Sequence, residues 1–347
     1  VARRASFMIG ISAFLARASV KQPDNKTKQA QIKQMTAYLQ SRLATSLRVF
    51  WQLLKIMVPV MIAVRIAEEL DLIEALAPTL APVMELVGLP PEAGFVWLAT
   101  LTVGIYGGLG ALPLLADLPL SVAQVSILCA MMLFAHALPV EQAIVRKAGA
   151  SFWATAVLRF ATAIVYAAAI SAISKATGWL TQPAETGLLR SMAPAGDGWL
   201  DWLTASGISL VATFGIIVVL ILLLDVFERT GITKRLTQGL QPVLRVSGLS
   251  GEMAPVTTVG VLLGLTYGGG LIMKETREKN FAPDARVLAL CWISLSHSLL
   301  EDTGLMLAIG ADIWVVLAGR VLLTLVLVRL IAAAMTAAPQ LTRWLAV

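Results

Sequence analysis

Charge is scarce in this chain of 347 residues: Asp, Glu, Lys and Arg together make up 14%, where soluble domains carry roughly 25%. Cysteine is scarcer still. Cys129 and Cys291 both lie in apolar runs and are too few for the disulfide frameworks that staple small secreted domains. Histidine also occurs only twice, at His136 and His297, and from Ile66 to Val145 there is no Lys or Arg at all. The signatures of soluble enzymes are missing as well: there is no Walker loop, no metalloprotease histidine pair and no Gly-x-Ser-x-Gly elbow. The glycines of Thr102–Gly110 follow no strand, so they do not form a dinucleotide loop. Together these absences point away from an enzyme, and no cofactor is expected.

Apolar residue types fill 58% of the chain, and the mean hydropathy is +0.80. Ile208–Leu224 carries no charge, and Val321–Met335 is interrupted only by Arg329. A membrane-spanning helix needs about 20 mostly apolar residues, so an all-α polytopic membrane protein in contact with the lipid bilayer is expected. The formal charge of +6 does not indicate nucleic acid, because residues 1–48 hold nine Lys/Arg against the single acid Asp24. Basic segments beside a membrane helix stay on the cytoplasmic side and face anionic lipid. This places the protein in the inner (cytoplasmic) membrane with its N-terminus inside. Phe7–Leu15 is too short to span and has no convincing cleavage site. Ile32, Met35, Leu39, Leu43, Leu47 and Phe50 fall at helical spacing among Lys and Arg. Residues 1–47 therefore read as a basic amphipathic segment on the inner leaflet or as an arm that docks a partner protein.

The chain matches itself at a shift of 160 residues, becoming 161 after one insertion. Pro82, Gly88, Leu89 and Glu92 fall on Pro242, Gly248, Leu249 and Glu252. Tyr106-Gly107-Gly108 falls on Tyr267-Gly268-Gly269, His136 on His297, Glu141 on Asp302, Trp153 on Trp314 and Arg159 on Arg320. The units are read as 48–172 and 206–347 including a short tail, with a linker at 173–205. Each contains a first span (50–70; 207–228) and an amphipathic helix (72–87; 232–247). A Gly-rich segment (92–116; 252–273), a long helix (121–147; 284–309) and a final span (151–173; 313–335) follow.

Copy two carries Arg229, Lys234, Arg235, Arg245, Lys274, Arg277, Lys279 and Arg286 where copy one has no base, and copy one has Arg146 and Lys147 where copy two has none from 287 to 319. Because cytoplasmic loops are enriched in Lys and Arg, equivalent loops are expected on opposite faces, making the repeats inverted. Inversion needs an odd number of crossings, so three segments span and the Gly-rich one forms a re-entrant hairpin. Its tips would be Tyr106–Gly110 and Tyr267–Gly270. Four crossings per unit with parallel repeats is the competing arrangement.

His136 lies 11 residues before Lys147, roughly 16 Å along a helix at about 1.5 Å per residue. That is near mid-bilayer, with Glu141 and Gln142 just beyond. His297 reaches a similar depth, followed by Glu301, Asp302 and Thr303. Buried carboxylates in a membrane face a cavity or a partner. Pro139 and Gly304 are expected to break the two helices beside this cluster. Three readings stay open. The groups line a solute or proton pathway, since histidine titrates near neutrality. Alternatively His297 and Glu301, spaced i,i+4 on one helical face, join His136 and Glu141 around a divalent cation. Lastly, they lock the copies together, with Arg159 and Arg320 as counter-ions.

The Tyr-Gly-Gly tip, the Gly248–Glu252 turn and the segment Ser296-His297-Ser-Leu-Leu-Glu301-Asp-Thr303 resemble the nucleoside recognition, or Gate, domain family. That domain occurs in spore maturation proteins A and B, in the membrane part of ferrous iron transport protein B and in concentrative nucleoside transporters. The resemblance covers both units and implies a membrane fold with hairpins and a transport role, without implying nucleoside binding. No GTPase domain lies within these residues, unlike a self-contained ferrous iron transporter. A secondary transporter or permease for a small polar solute is expected, alone, as a homo-oligomer or with a membrane partner protein. A scaffolding subunit is the alternative.

Overall fold

The computed structural model describes residues 25–184, 196, 198–264, 273–274 and 281–346. The short apolar run at 7–15 and the second Gly-rich tip, Tyr267, Gly268 and Gly269, lie outside the described residues. Two compact units divide between Leu47 and Arg48. Of the first, residues 25–47 are described and are helical, and the second carries the other described elements.

Every regular element among the described residues is helical. α1 (Asn25–Glu69) contains residues 25–47 of the basic segment and the first apolar stretch. α2 (Leu72–Leu86) follows a left-handed Asp71, and α3 (Ala93–Val103) and α4 (Ile105–Ala111) flank Gly104. α5 (Val122–Phe134) starts in a capping box made by Ser121 and Gln124, which satisfies two of the helix's orphan donors. α6 (Leu138–Ala148) and α7 (Phe152–Thr177) complete the first half. α8 (Trp199–Arg229), α9 (Ile232–Val246), α10 (Met253–Leu263), α11 (Pro283–Leu295) and α12 (Glu301–Ile309) repeat the order of α1–α3, α5 and α6. α13 (Trp314–Ala337) opens with a π-helical turn over Trp314–Gly319, and α14 (Gln340–Leu345) is the last described helix.

Long apolar stretches set which helices face lipid. Thr36–Glu69, Phe152–Thr177, Trp199–Arg229 and Trp314–Ala337 are long and apolar enough to cross a membrane, and the bent pair α5–α6 makes a fifth candidate. The expectation of six crossings thus meets four or five helices, among the described residues, that qualify by length and composition. α8 shows why: Ala205, Ser209, Thr213, Ile217 and Leu220 form one buried stripe, while Val211 and Val219 on other faces are exposed. α7 buries a stripe of small residues, including Thr155, Thr162, Ala163, Ala167, Ser171 and Ser174. In lipid, helices associate by close van der Waals packing, which small side chains permit.

The repeat found in the sequence recurs in the backbone. Left-handed residues occur in pairs at the same shift: Asp71 and Gly231, Gly88 and Gly248, Gly104 and Gly264, Ala137 and Ser298, Gly149 and Gly310.

Two expectations are corrected. Tyr106–Gly110 is not the tip of the Gly-rich hairpin; it is helical within α4. The chain turns two positions earlier, at Gly104, whose φ of 120° and ψ of 179° suit only glycine. The second helix does not break at Gly304, which lies inside α12. It breaks at Ser296–Leu300, where Ser298 has φ 49°. In the first half α5 and α6 bend by 41° around Ala137, and Pro139 occupies the first turn of α6 rather than the break.

Candidate functional site

Each break leaves the last carbonyls of one half-helix without N–H partners, and an arginine from the final span of the same half fills the gap. Arg159 on α7 donates from Nε to the Phe134 carbonyl at 2.8 Å, and Arg320 on α13 donates from Nε to the Leu295 carbonyl at 3.0 Å. Arg320 Nη2 also reaches the carbonyls of Leu133 and His297, at 3.1 and 3.2 Å. A cation at a helix C-terminus also opposes its negative dipole end. Both guanidiniums are fully buried. Backbone bonds hold the breaks to the neighbouring helix: the Ala137 N–H donates to Thr100 O at 2.9 Å, and the Leu299 N–H to Val261 O at 3.0 Å.

The histidines stand at these breaks and meet. His136 Nδ1 lies 2.8 Å from Met132 O, and His297 Nδ1 lies 2.8 Å from Ile293 O. Their Nε2 atoms are 2.9 Å apart. Glu141 sends Oε1 to 3.3 Å from His136 Nε2 and 3.2 Å from His297 Nε2. Its other oxygen pairs with Arg159 Nη1. Asp302 brings a carboxylate oxygen within 4.8 Å of both histidines. His136 and His297 are 5% and 2% exposed, so this is an interior cluster built from both halves.

The remaining expected residues are distributed around it. Glu301 is exposed, and its carboxylate accepts the Tyr106 hydroxyl at 3.4 Å. The face expected to carry His297 and Glu301 together does not exist, because the break at Ser298 separates them. Asp302 takes the position beside the histidines instead. Gln142 turns aside to accept from Thr155 Oγ1 at 2.5 Å. Thr303 is buried, and its Oγ1, Gln142 Nε2, Arg159 Nη2 and Arg320 Nη1 have no partner among the described residues. Gly107 and Gly108 pack α4 against α3 and do not line the cluster: a Cβ on Gly108 would meet Thr100 Oγ1 at 2.0 Å. Arg159 is the counter-ion expected of it, whereas Arg320 serves chiefly as a helix cap.

The sequence did not reveal the capping role of these arginines or the strained breaks. The signal was present: each arginine lies 25 residues beyond the carbonyl it caps, in an otherwise apolar span. Further hydrogen bonds join the halves. Tyr166 donates to Val315 O at 2.8 Å, a carbonyl of the π turn, and the Asp312 N–H donates to Ser126 Oγ at 2.8 Å.

All-helical architecture, several lipid-length apolar helices and a buried polar core define a polytopic membrane protein. Residues 50–151 and 210–312 each match the Gate, or nucleoside recognition, family, and the chain belongs to that family. It is similar to the uncharacterized membrane protein YvoD of Bacillus subtilis (strain 168), 26% identical over 294 residues that cover 84% of this chain and 92% of that protein. No solved structure matches.

Proposed function

We propose that this Gate-family protein is a secondary transporter or permease for a small polar solute. In this reading the units 48–172 and 206–347 are inverted repeats joined by a linker, inserted in the inner membrane with the N-terminus cytoplasmic. The α3–α4 helical hairpin enters and leaves on one face, and its counterpart does so on the other. Opposite Lys/Arg bias of equivalent loops supports this arrangement. Inverted repeats with broken helices commonly place a transport site where the repeats meet, near the midplane.

The observation that carries the proposal is the buried His136–His297–Glu141–Asp302 cluster at two helix breaks, contributed by both halves. A helix that only anchors a protein does not need to be interrupted, or to bury carboxylates and guanidiniums at the interruption. Tyr106 and Glu301, joined across the halves, lie at the edge of the same region and are read as part of the entry route. Proton coupling remains part of the proposal, as the energy source that two histidines provide most simply.

The test is a solute screen with protein in proteoliposomes, comparing wild type with His297→Ala and Asp302→Asn. Uptake by wild type that both variants lose supports the proposal. No uptake and no thermal shift with any solute, together with wild-type stability in both variants, contradicts it and favours a scaffolding subunit.

A further inference from the structure

The two imidazoles pose a problem of hydrogen placement. A backbone carbonyl only accepts, so His136 Nδ1 and His297 Nδ1, each 2.8 Å from one, both carry hydrogen. In neutral rings that leaves a lone pair on each Nε2. These atoms are 2.9 Å apart, and Glu141 Oε1, a third acceptor, stands 3.2 and 3.3 Å away. Three acceptors turned toward one point repel one another unless a cation lies between them.

We propose that His136 Nε2, His297 Nε2 and Glu141 Oε1 form a binding site for a divalent transition-metal cation, with Asp302 as its outer carboxylate. The triangle has the dimensions of a two-histidine, one-carboxylate set. Metal bonds of about 2.0–2.1 Å from these atoms would meet at angles of roughly 87–111°, which leaves one side of the ion open, as in facial sites. The support around the ligands is already in place. Each histidine donates its other N–H to a carbonyl, the arrangement that fixes ring orientation in metal sites, and Arg159 holds Glu141 by the oxygen that faces away.

Electrostatics favours a cation at this point. The C-terminal ends of α5 and α11 both converge here, and such ends are negative. Arg159 and Arg320 oppose this, and the Glu141 carboxylate answers Arg159 directly. The inference concerns binding, so it stands whether or not an ion moves through the membrane.

The test uses the full chain in detergent, titrated with Co²⁺ and followed by its visible d–d absorption. Wild type is expected to saturate at one Co²⁺ per chain. His136→Ala and His297→Ala should each weaken binding by roughly tenfold or more, and Glu74→Gln, on the exposed face of α2, should leave it unchanged. A folding defect in either histidine variant is bypassed by pulsed EPR of Cu²⁺-loaded wild type, which should show remote nitrogens from two imidazoles. The proposal is overturned if folded wild type shows no saturable binding, or if bound Cu²⁺ shows no imidazole nitrogen. In the first case a shared proton holds the pair together.

Discussion

At the scale of single residues, the ion pair between Glu141 and Arg159 is the most exposed to test. Arg159 is 0% exposed, and removing one partner of a buried pair costs about 3–5 kcal/mol because the other charge is stranded. Glu141→Gln is expected to lower stability in that range, measured by unfolding in mixed micelles. Arg320→Lys tests a different role. Lysine keeps the charge but loses the planar fork that now holds three carbonyls, so a loss of about 1.5–3 kcal/mol is expected from weakened charged hydrogen bonds. These residues were legible as a cluster, because rare His, Arg and acidic types superpose at one shift in apolar surroundings. Their detailed partners were not. Sequence spacing on an unbroken helix placed Glu301 beside His297, and only the break at Ser298 shows that Asp302 takes that place.

At the scale of elements, glycine acts in two ways. Gly108 lets α4 lie against α3, and a Cβ there would stand 2.0 Å from Thr100 Oγ1 and 2.8 Å from Met132 Cε. Gly108→Ala is expected to cost about 1–3 kcal/mol, the usual penalty of overpacking. Adding Thr100→Ala should recover part of it, which thermal unfolding of the single and double variants would show. The breaks carry the opposite prediction. Ala137 is held at φ 43°, a conformation that disfavours residues with a Cβ. Ala137→Gly should therefore stabilise the protein by up to about 1 kcal/mol; a destabilisation would show that the Ala137 methyl packs more than it strains. Apolar periodicity and the repeat made the extent of most elements readable, as α2 (72–86) and α9 (232–246) illustrate. The turn at Gly104 and the break at Ala137 were each misplaced by two residues. Tyr-Gly-Gly and Pro139 are the stronger local signals, but close packing of α4 on α3 and capping by Arg159 decide where the chain bends.

At the scale of the whole molecule, the duplication organises everything else. It was visible in sequence as paired residues, it recurs as paired left-handed residues, and the family match falls twice at the same spacing. Orientation in the membrane is a separate matter, since it depends on loop charge and not on the pairs themselves. Two halves of opposite orientation sharing one buried site is the central claim. Single cysteines at Glu85 and Arg245, introduced after replacing the buried Cys129 and Cys291, test it most directly. With a membrane-impermeant thiol reagent on sealed inside-out and right-side-out vesicles, the two positions are expected to label from opposite faces, Arg245 from the cytoplasmic one. Labelling of both from the same face would contradict the inverted arrangement.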